Sequence, residues 1–182
     1  SNTLGVISNY AQIKSVAEKF NIPILLDGAQ SAPHMNVSLQ ELDPDFFFFS
    51  AHKMYGPTGV GLLYVSQSWI NKLPISRTGG GTIKTVSFDK TEYVDGALRF
   101  EPGTPNIAGV IGFAEAVKFM NELGMETIYN YEHQLTQYAQ TLLGEISEVE
   151  MYGISHKKAG VISFNIKNQH PFDVGTLLDK YG

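Results

Sequence analysis

The stretch that decides the fold is Asp45-Phe46-Phe47-Phe48-Phe49-Ser50-Ala51-His52-Lys53-Met54-Tyr55-Gly56-Pro57-Thr58-Gly59. Four consecutive phenylalanines read as a buried strand, and polar residues follow where the strand ends. Gly56, Pro57 and Gly59 then make a rigid turn. Lys53 stands between strand and turn, although a surface lysine is normally a solvated charge with no special neighbours.

Working outward, residues 22–27 (IPILLD) form a second short apolar run, and it too stops at a polar group, Asp27. Before it, residues 10–20 carry Ile13, Val16, Ala17 and Phe20 at helical spacing. Helix followed by strand suggests a parallel sheet buried on both faces. Residues 37–43 read as a short helical connection, 60–66 as a third strand and 67–73 as a short helix. Residues 77–106 are rich in glycine and threonine with little periodicity, and read as a functional loop. Two helices are expected at 107–124, closed by Gly124, and 125–146, with Tyr129, Tyr131 and Tyr138 as core or boundary packing. A strand at 160–166 and a helix from Pro171 complete the chain. The character changes near Gly124, where a domain boundary is expected.

Composition narrows the function. The chain has 182 residues, 43% hydrophobic and 17% charged, which is the makeup of a soluble globular protein. Its net charge of −5 and its lack of a lysine and arginine cluster argue against nucleic acid and against a polybasic membrane surface. No apolar run approaches bilayer-spanning length and no basic and apolar leader opens the chain, so a cytosolic setting is expected. With no cysteine there is neither a disulfide nor a thiolate metal site. His34, His133, His156 and His170 have no metal-ligand spacing and read as ordinary surface or partly buried residues. No metal is expected.

In an open parallel sheet, ligands collect outside the carboxyl ends of the strands. Asp27 ends one strand, Ser50, His52 and Lys53 follow another, and Gln30 lies three residues past Asp27. A lysine beside an aromatic strand is open to desolvation, which lowers its pKa and makes its amine a nucleophile able to form a Schiff base. The carbonyl partner a cofactor most often supplies is that of pyridoxal phosphate, whose pyridine nitrogen is kept protonated by an acid, a role that suits Asp27. Ser50, His52 and the amides of a glycine-rich loop suit a phosphate. Residue by residue the plainer readings hold: Asp27 as a turn or helix cap, Ser50 as a turn residue, His52 as a structural histidine, and Gly79 to Gly81 as a tight backbone path. Only the combination favours a site.

Six spaced motifs carry a resemblance over nearly the whole chain: SNTLG, DGAQSAPH, DFFFFSAHKMYGPTGVGLLYV, GGGTIKTV, RFEPGTPN and DVGTLLDKYG. In this order they resemble the class V aminotransferase-like enzymes, and in particular the cysteine desulfurases, a group that includes selenocysteine lyases. The resemblance implies an α/β fold. Residues 1–124 would be the C-terminal part of the large, cofactor-binding domain of the type I pyridoxal-phosphate-dependent transferases, and residues 125–182 part of a smaller C-terminal α+β domain. It implies that Lys53 is the Schiff-base lysine of pyridoxal 5′-phosphate and that Asp27 pairs with the pyridinium nitrogen. Gln30 would bond the cofactor's phenolic oxygen, and Asn2 would lie close to that oxygen and to the substrate carboxylate. Ser50 and His52 would bind the phosphate, and Thr104 would reach the phosphate of a partner subunit, making a homodimer part of the site. The implied reaction converts L-cysteine to L-alanine and leaves sulfur as an enzyme persulfide, for transfer to an acceptor protein and iron-sulfur assembly in the cytoplasm.

Two departures qualify the resemblance. The family's catalytic cysteine and its carboxylate-binding arginine would fall just past Gly182, and the upstream half of the large domain has no counterpart. The chain is therefore expected to be a central-to-C-terminal fragment that exposes sheet edges and does not turn over cysteine by itself. Two alternatives stay open: another class V lyase or an epimerase, and a non-catalytic scaffold of the same fold.

Overall fold

The structure, a computed structural model, describes residues 1–154 and 157–182, so His156 lies outside the described residues. The chain divides into two compact units. One comprises Ala11–Pro33 and Val37–Glu122; the other comprises Ser1–Tyr10, His34–Asn36 and Leu123–Gly182.

The first unit is built on the phenylalanine run. Helix α1 (Tyr10–Lys19) precedes strand β1 (Leu25–Asp27), and a single turn of helix, α2 (Leu39–Leu42), leads to β2 (Phe46–Ser50). Ser38 starts α2 by accepting from the Glu41 amide at 3.2 Å, and Asp43 ends it in the left-handed conformation. Strand β3 (Gly61–Val65) closes a three-stranded sheet of order β1-β2-β3. Strands β1 and β2 run parallel with Asp27 opposite Phe48, whereas β2 and β3 run antiparallel with Ser50 opposite Gly61. The expected parallel sheet is thus a mixed one. The link from Ser50 to Gly61 holds no crossover helix, and a parallel return needs a dozen or more residues.

Asp45 fixes the open end of this sheet. Its carboxylate accepts from the Ile24 amide at 2.7 Å and from the Trp69 indole at 2.8 Å, and its carbonyl accepts from the Ser66 amide at 2.8 Å. Trp69, in the short helix α3 (Gln67–Ile70), packs against Phe46 with ring centres 5.6 Å apart. One side chain therefore ties the start of β1, the start of β2 and α3. Asp45→Ala is expected to cost about 2 kcal/mol, since each lost bond to a charged acceptor is worth about 1.5 to 3 kcal/mol and water reaches this half-buried site to offset part of it. The urea midpoint of the intact protein reports it, and a change below about 0.5 kcal/mol would contradict this role for Asp45.

Burial on both faces of the strands is only partly realised. Phe47 is buried and the other three phenylalanines are half-buried. Ile13 and Val16 of α1, and Phe20 just past its end, are more than half exposed, and of this helix only Ala17 is buried. The 77–106 region is more ordered than its composition suggests. It holds an antiparallel hairpin, β4 (Ile83–Val86) and β5 (Thr91–Tyr93), and a 3-10 turn over Ala97–Phe100. In the hairpin, Lys90 and then Thr85 bind the Glu92 carboxylate and hold it below the usual carboxylate range. Helix α4 (Ile107–Leu123) buries Ala116 and Met120 and begins at Asn106, whose side chain accepts from the Gly109 amide at 3.0 Å.

The second unit contains α5 (Met125–Gly144), α6 (Pro171–Tyr181) and a two-stranded antiparallel sheet of β6 (Val149–Tyr152) and β7 (Ser163–Ile166). The sequence reading missed β6, a four-residue strand whose inward positions are only Val149 and Met151. Tyr131 and Tyr138 are more than 60% exposed, which corrects the expectation that they pack in a core or at its boundary. His34 Nδ1 lies 3.0 Å from both Glu132 oxygens, placed to donate to that carboxylate, His133 stacks on Tyr129, and His170 caps α6 by accepting from the Phe172 amide at 3.2 Å.

Candidate cofactor site

Strands β1 and β2 lie side by side and point the same way, so their carboxyl ends share one rim of the sheet. Asp27 is the last residue of β1 and Ser50 the last of β2. The backbone just past Asp27 stays bonded to β2, because the Gly28 amide donates to the Phe48 carbonyl at 2.8 Å. Asp27 then turns the chain, its Oδ1 accepting from the Ala29 amide at 2.9 Å. The turn reading of Asp27 is met by an Asx turn through one oxygen, and its carboxylate stays exposed at the rim. Gln30 follows in the same turn, half-buried.

Gly28 explains why this turn can sit so low on the sheet. A Cβ there would lie 2.1 Å from the tip of the Phe47 ring, so only glycine lets the backbone pass over the ring. Phe47 in turn leans on Phe49, and Phe49 on Phe113 of α4, with ring centres 5.9 and 6.1 Å apart. The aromatic run is the floor on which the Asp27 turn rests.

The lysine's position has an equally local cause. Ala51, with no accessible surface, accepts at its carbonyl from the Met54 amide at 2.8 Å and from the Gly56 amide at 2.9 Å, while its own amide donates to the Val60 carbonyl at 3.0 Å. Residues Ala51–Lys53 thus wind into a single 3-10 turn directly behind β2. Tyr55 closes it at φ 59°, a conformation unfavourable for a bulky side chain, and its ring packs edge-on against Phe119 at 5.9 Å. The His52 and Lys53 backbones are held by this knot, and both side chains are exposed. The burial that would desolvate Lys53 is not found: its side chain is exposed among the described residues.

The structure brings Asp27, Gln30, Ser50, His52 and Lys53 to the ends of two adjacent strands. Thr104 lies elsewhere in the same unit, exposed in the loop before α4. That loop is tied to the glycine run by a bond from the Gly103 amide to the Gly80 carbonyl at 2.8 Å. Asn2 belongs to the other unit, where it is exposed in a turn over residues 1–5. Sequence reasoning missed Gly28, Ala51 and Tyr55 as positioning residues. The one available signal was the small residue directly after each polar strand end.

The donor set fits pyridoxal 5′-phosphate: a carboxylate for a pyridinium, a primary amine for an aldehyde, and hydroxyl and imidazole groups for a phosphate, all on one rim. The comparisons agree with that class. All of residues 1–182 match the aminotransferase class-V family, and the chain belongs to it. A probable cysteine desulfurase of Halalkalibacterium halodurans is 43% identical over 182 residues, which is 100% of this chain and 45% of that protein. Among solved structures, the apo cysteine desulfurase of Thermococcus onnurineus NA1 matches with a TM-score of 0.91 at 39% identity, covering 100% of this chain and 46% of its own. The cysteine desulfurase CsdA of Escherichia coli, in its S-sulfonic acid form, matches with a TM-score of 0.91 at 31% identity, covering 100% and 45%. The α/β fold is therefore that of the class V cysteine desulfurase structures, and the chain spans about half the length of the curated relatives it matches.

Proposed function

We propose that the protein carrying this chain is a pyridoxal-5′-phosphate-dependent cysteine desulfurase, converting L-cysteine to L-alanine and passing the sulfur on as a persulfide. The observation that supports it most is the convergence of Asp27, Ser50, His52 and Lys53 on the carboxyl ends of paired parallel strands, in a chain whose relatives include named cysteine desulfurases.

When bound, the cofactor supplies an electron sink for the pair of electrons left at the substrate's Cα. Asp27 keeps the pyridine nitrogen protonated, and the Ala29 amide on its Oδ1 fixes the carboxylate's orientation. Ser50 and His52 hold the phosphate. Gln30 donates to the phenolic oxygen, and Asn2 serves that oxygen and the substrate carboxylate. Lys53 would hold the cofactor through Nζ, and its amine is the group that would take the Cα proton. Thr104 binds the phosphate in a partner subunit, so the working enzyme is a homodimer. The chain has no cysteine, and the thiolate that takes the sulfur is supplied from outside these residues.

The C-terminal part of the large cofactor domain is assigned to residues 1–124 and part of the small domain to 125–182. The sulfur goes to an acceptor protein for iron-sulfur assembly in the cytoplasm, and selenocysteine is the related substrate. No helix among the described residues is long and apolar enough to cross a membrane.

The test is incubation of the purified intact protein with pyridoxal phosphate, a thiol reductant and L-cysteine, with alanine and sulfide both quantified. Equal amounts of the two are expected. An amino acid altered without loss of sulfur would support an epimerase or another lyase instead, and absence of both cofactor uptake and turnover would support a scaffold.

Asp27→Asn should lower kcat/KM about 10- to 150-fold, the equivalent of one charge-assisted hydrogen bond of about 1.5 to 3 kcal/mol. Steady-state alanine production measures this, and unchanged kcat/KM would remove Asp27 from the pyridinium role.

A further inference from the structure

The most buried charged group among the described residues lies away from the lysine turn. Lys158 is 3% exposed, yet no carboxylate pairs with it among the described residues. Its Nζ donates to the Gly153 carbonyl at 3.1 Å and, at 3.5 Å, to that of Tyr152. Burying an ammonium with only two carbonyls for partners costs more than an apolar residue in the same space would, so what the site gains from Lys158 is the hydrogen bonds it makes.

What it holds is the backing of the turn that carries Asn2. The turn closes on itself, with the Gly5 amide donating to the Ser1 carbonyl at 2.9 Å and the Leu4 amide to Ser1 Oγ at 3.2 Å. Its far side is gripped by the segment around Lys158. Val6 bridges Lys158 in antiparallel fashion, the Ile7 amide donates to the Lys157 carbonyl at 3.1 Å, and the Ala159 amide donates to the Gly5 carbonyl at 2.8 Å. Ser163 donates to the Thr3 carbonyl. Gly153, at φ 63°, presses on the turn directly, because a Cβ there would lie 2.7 Å from Leu4 Cβ. The only buried residues described in this unit are Gly5, Thr136 and Lys158, and two of the three belong to this assembly.

We infer that Lys158 is a positioning residue: it locks the Gly153 carbonyl and the 157–159 strip, and through them sets the place of Asn2. The inference rests on the assignment of Asn2 to the cofactor's phenolic oxygen and the substrate carboxylate. Lys158 touches neither group and acts only by holding the turn.

The experiment compares wild type, Lys158→Met, Lys158→Arg, Gly153→Ala and Asn2→Ala in the intact protein. Two readouts are used: amide exchange over residues 1–8 of the cofactor-free protein, and the pH midpoint of the bound cofactor's visible absorbance. In Lys158→Met, exchange at residues 4–7 should speed up about tenfold, the equivalent of one lost hydrogen bond. Its spectral midpoint should move in the same direction as that of Asn2→Ala. Lys158→Arg, which keeps the charge, should stay near wild type on both readouts. Gly153→Ala should repeat both changes with Lys158 still present, and it decides the matter if Lys158→Met does not fold. A midpoint that stays at the wild-type value in Lys158→Met, with or without faster exchange, overturns the positioning role, as does failure of Lys158→Arg to restore it. If the wild-type protein takes up no pyridoxal phosphate at Lys53, the reading of Asn2 has failed and the inference falls with it. That result is seen in the wild type alone and is distinct from any failure of Lys158.

Discussion

Replacing Lys53 with alanine in the intact protein is expected to lower kcat about 1,000-fold or more, because one substitution removes both the covalent anchor and the base. A positioned general base alone contributes about 100- to 10,000-fold. The anchor matters for a separate reason: the knot around Ala51 holds the lysine's backbone in one place, so the amine meets the cofactor without a search. The His52 backbone sits in the same turn, so the variant should still hold cofactor non-covalently, with the visible band of free pyridoxal phosphate. An exogenous amine such as methylamine should restore part of the proton transfer. Retention of more than about a tenth of wild-type kcat would remove Lys53 from both roles, since even the low end of base catalysis exceeds that loss.

Phe47→Ala is expected to have the largest effect on stability, about 3 to 5 kcal/mol, the usual range for deleting a buried phenylalanine. Phe47 is 4% exposed, and its ring is both the floor under Gly28 and one end of the row that runs through Phe49 to Phe113. Its loss leaves the Asp27 turn without support, so cofactor affinity should fall along with the urea midpoint. Phe48→Ala, at a half-buried neighbour that forms no part of this row, should cost clearly less. Equal losses at the two positions would contradict the account of Phe47 as the floor of the site.

The contrast between those two phenylalanines marks how far the sequence could be read. The apolar run with its polar terminus was visible as a strand, and so was the helix and strand before it. Which of four identical side chains lies under the Asp27 turn was not, because that depends on the register that pairs Asp27 with Phe48. The antiparallel return of β3 was hidden for the opposite reason. Its residues suit a strand of either direction, and only the short link from Ser50 to Gly61, which holds no crossover helix, decides the matter. The β4–β5 hairpin was masked by surrounding glycines and threonines, although Ile83, Thr85, Val86, Thr91 and Tyr93 favour strands. For the site, residue types at strand ends indicated the chemistry. The small residues that make it possible, Gly28 and Ala51, carry no chemical signature and become legible only as close contacts. The exposed apolar face of α1 shows the same limit: the spacing of Ile13, Val16 and Ala17 specifies a helix face but not what covers it.

The central claim is that Lys53 is the residue that binds pyridoxal phosphate. The most direct test is to load the intact protein with the cofactor, reduce it with borohydride and map the modified peptides by mass spectrometry. One stoichiometric adduct is predicted, confined to Lys53 and absent from Lys53→Ala. Adducts spread over several exposed lysines, or an unmodified Lys53 beside a single adduct elsewhere, would contradict it.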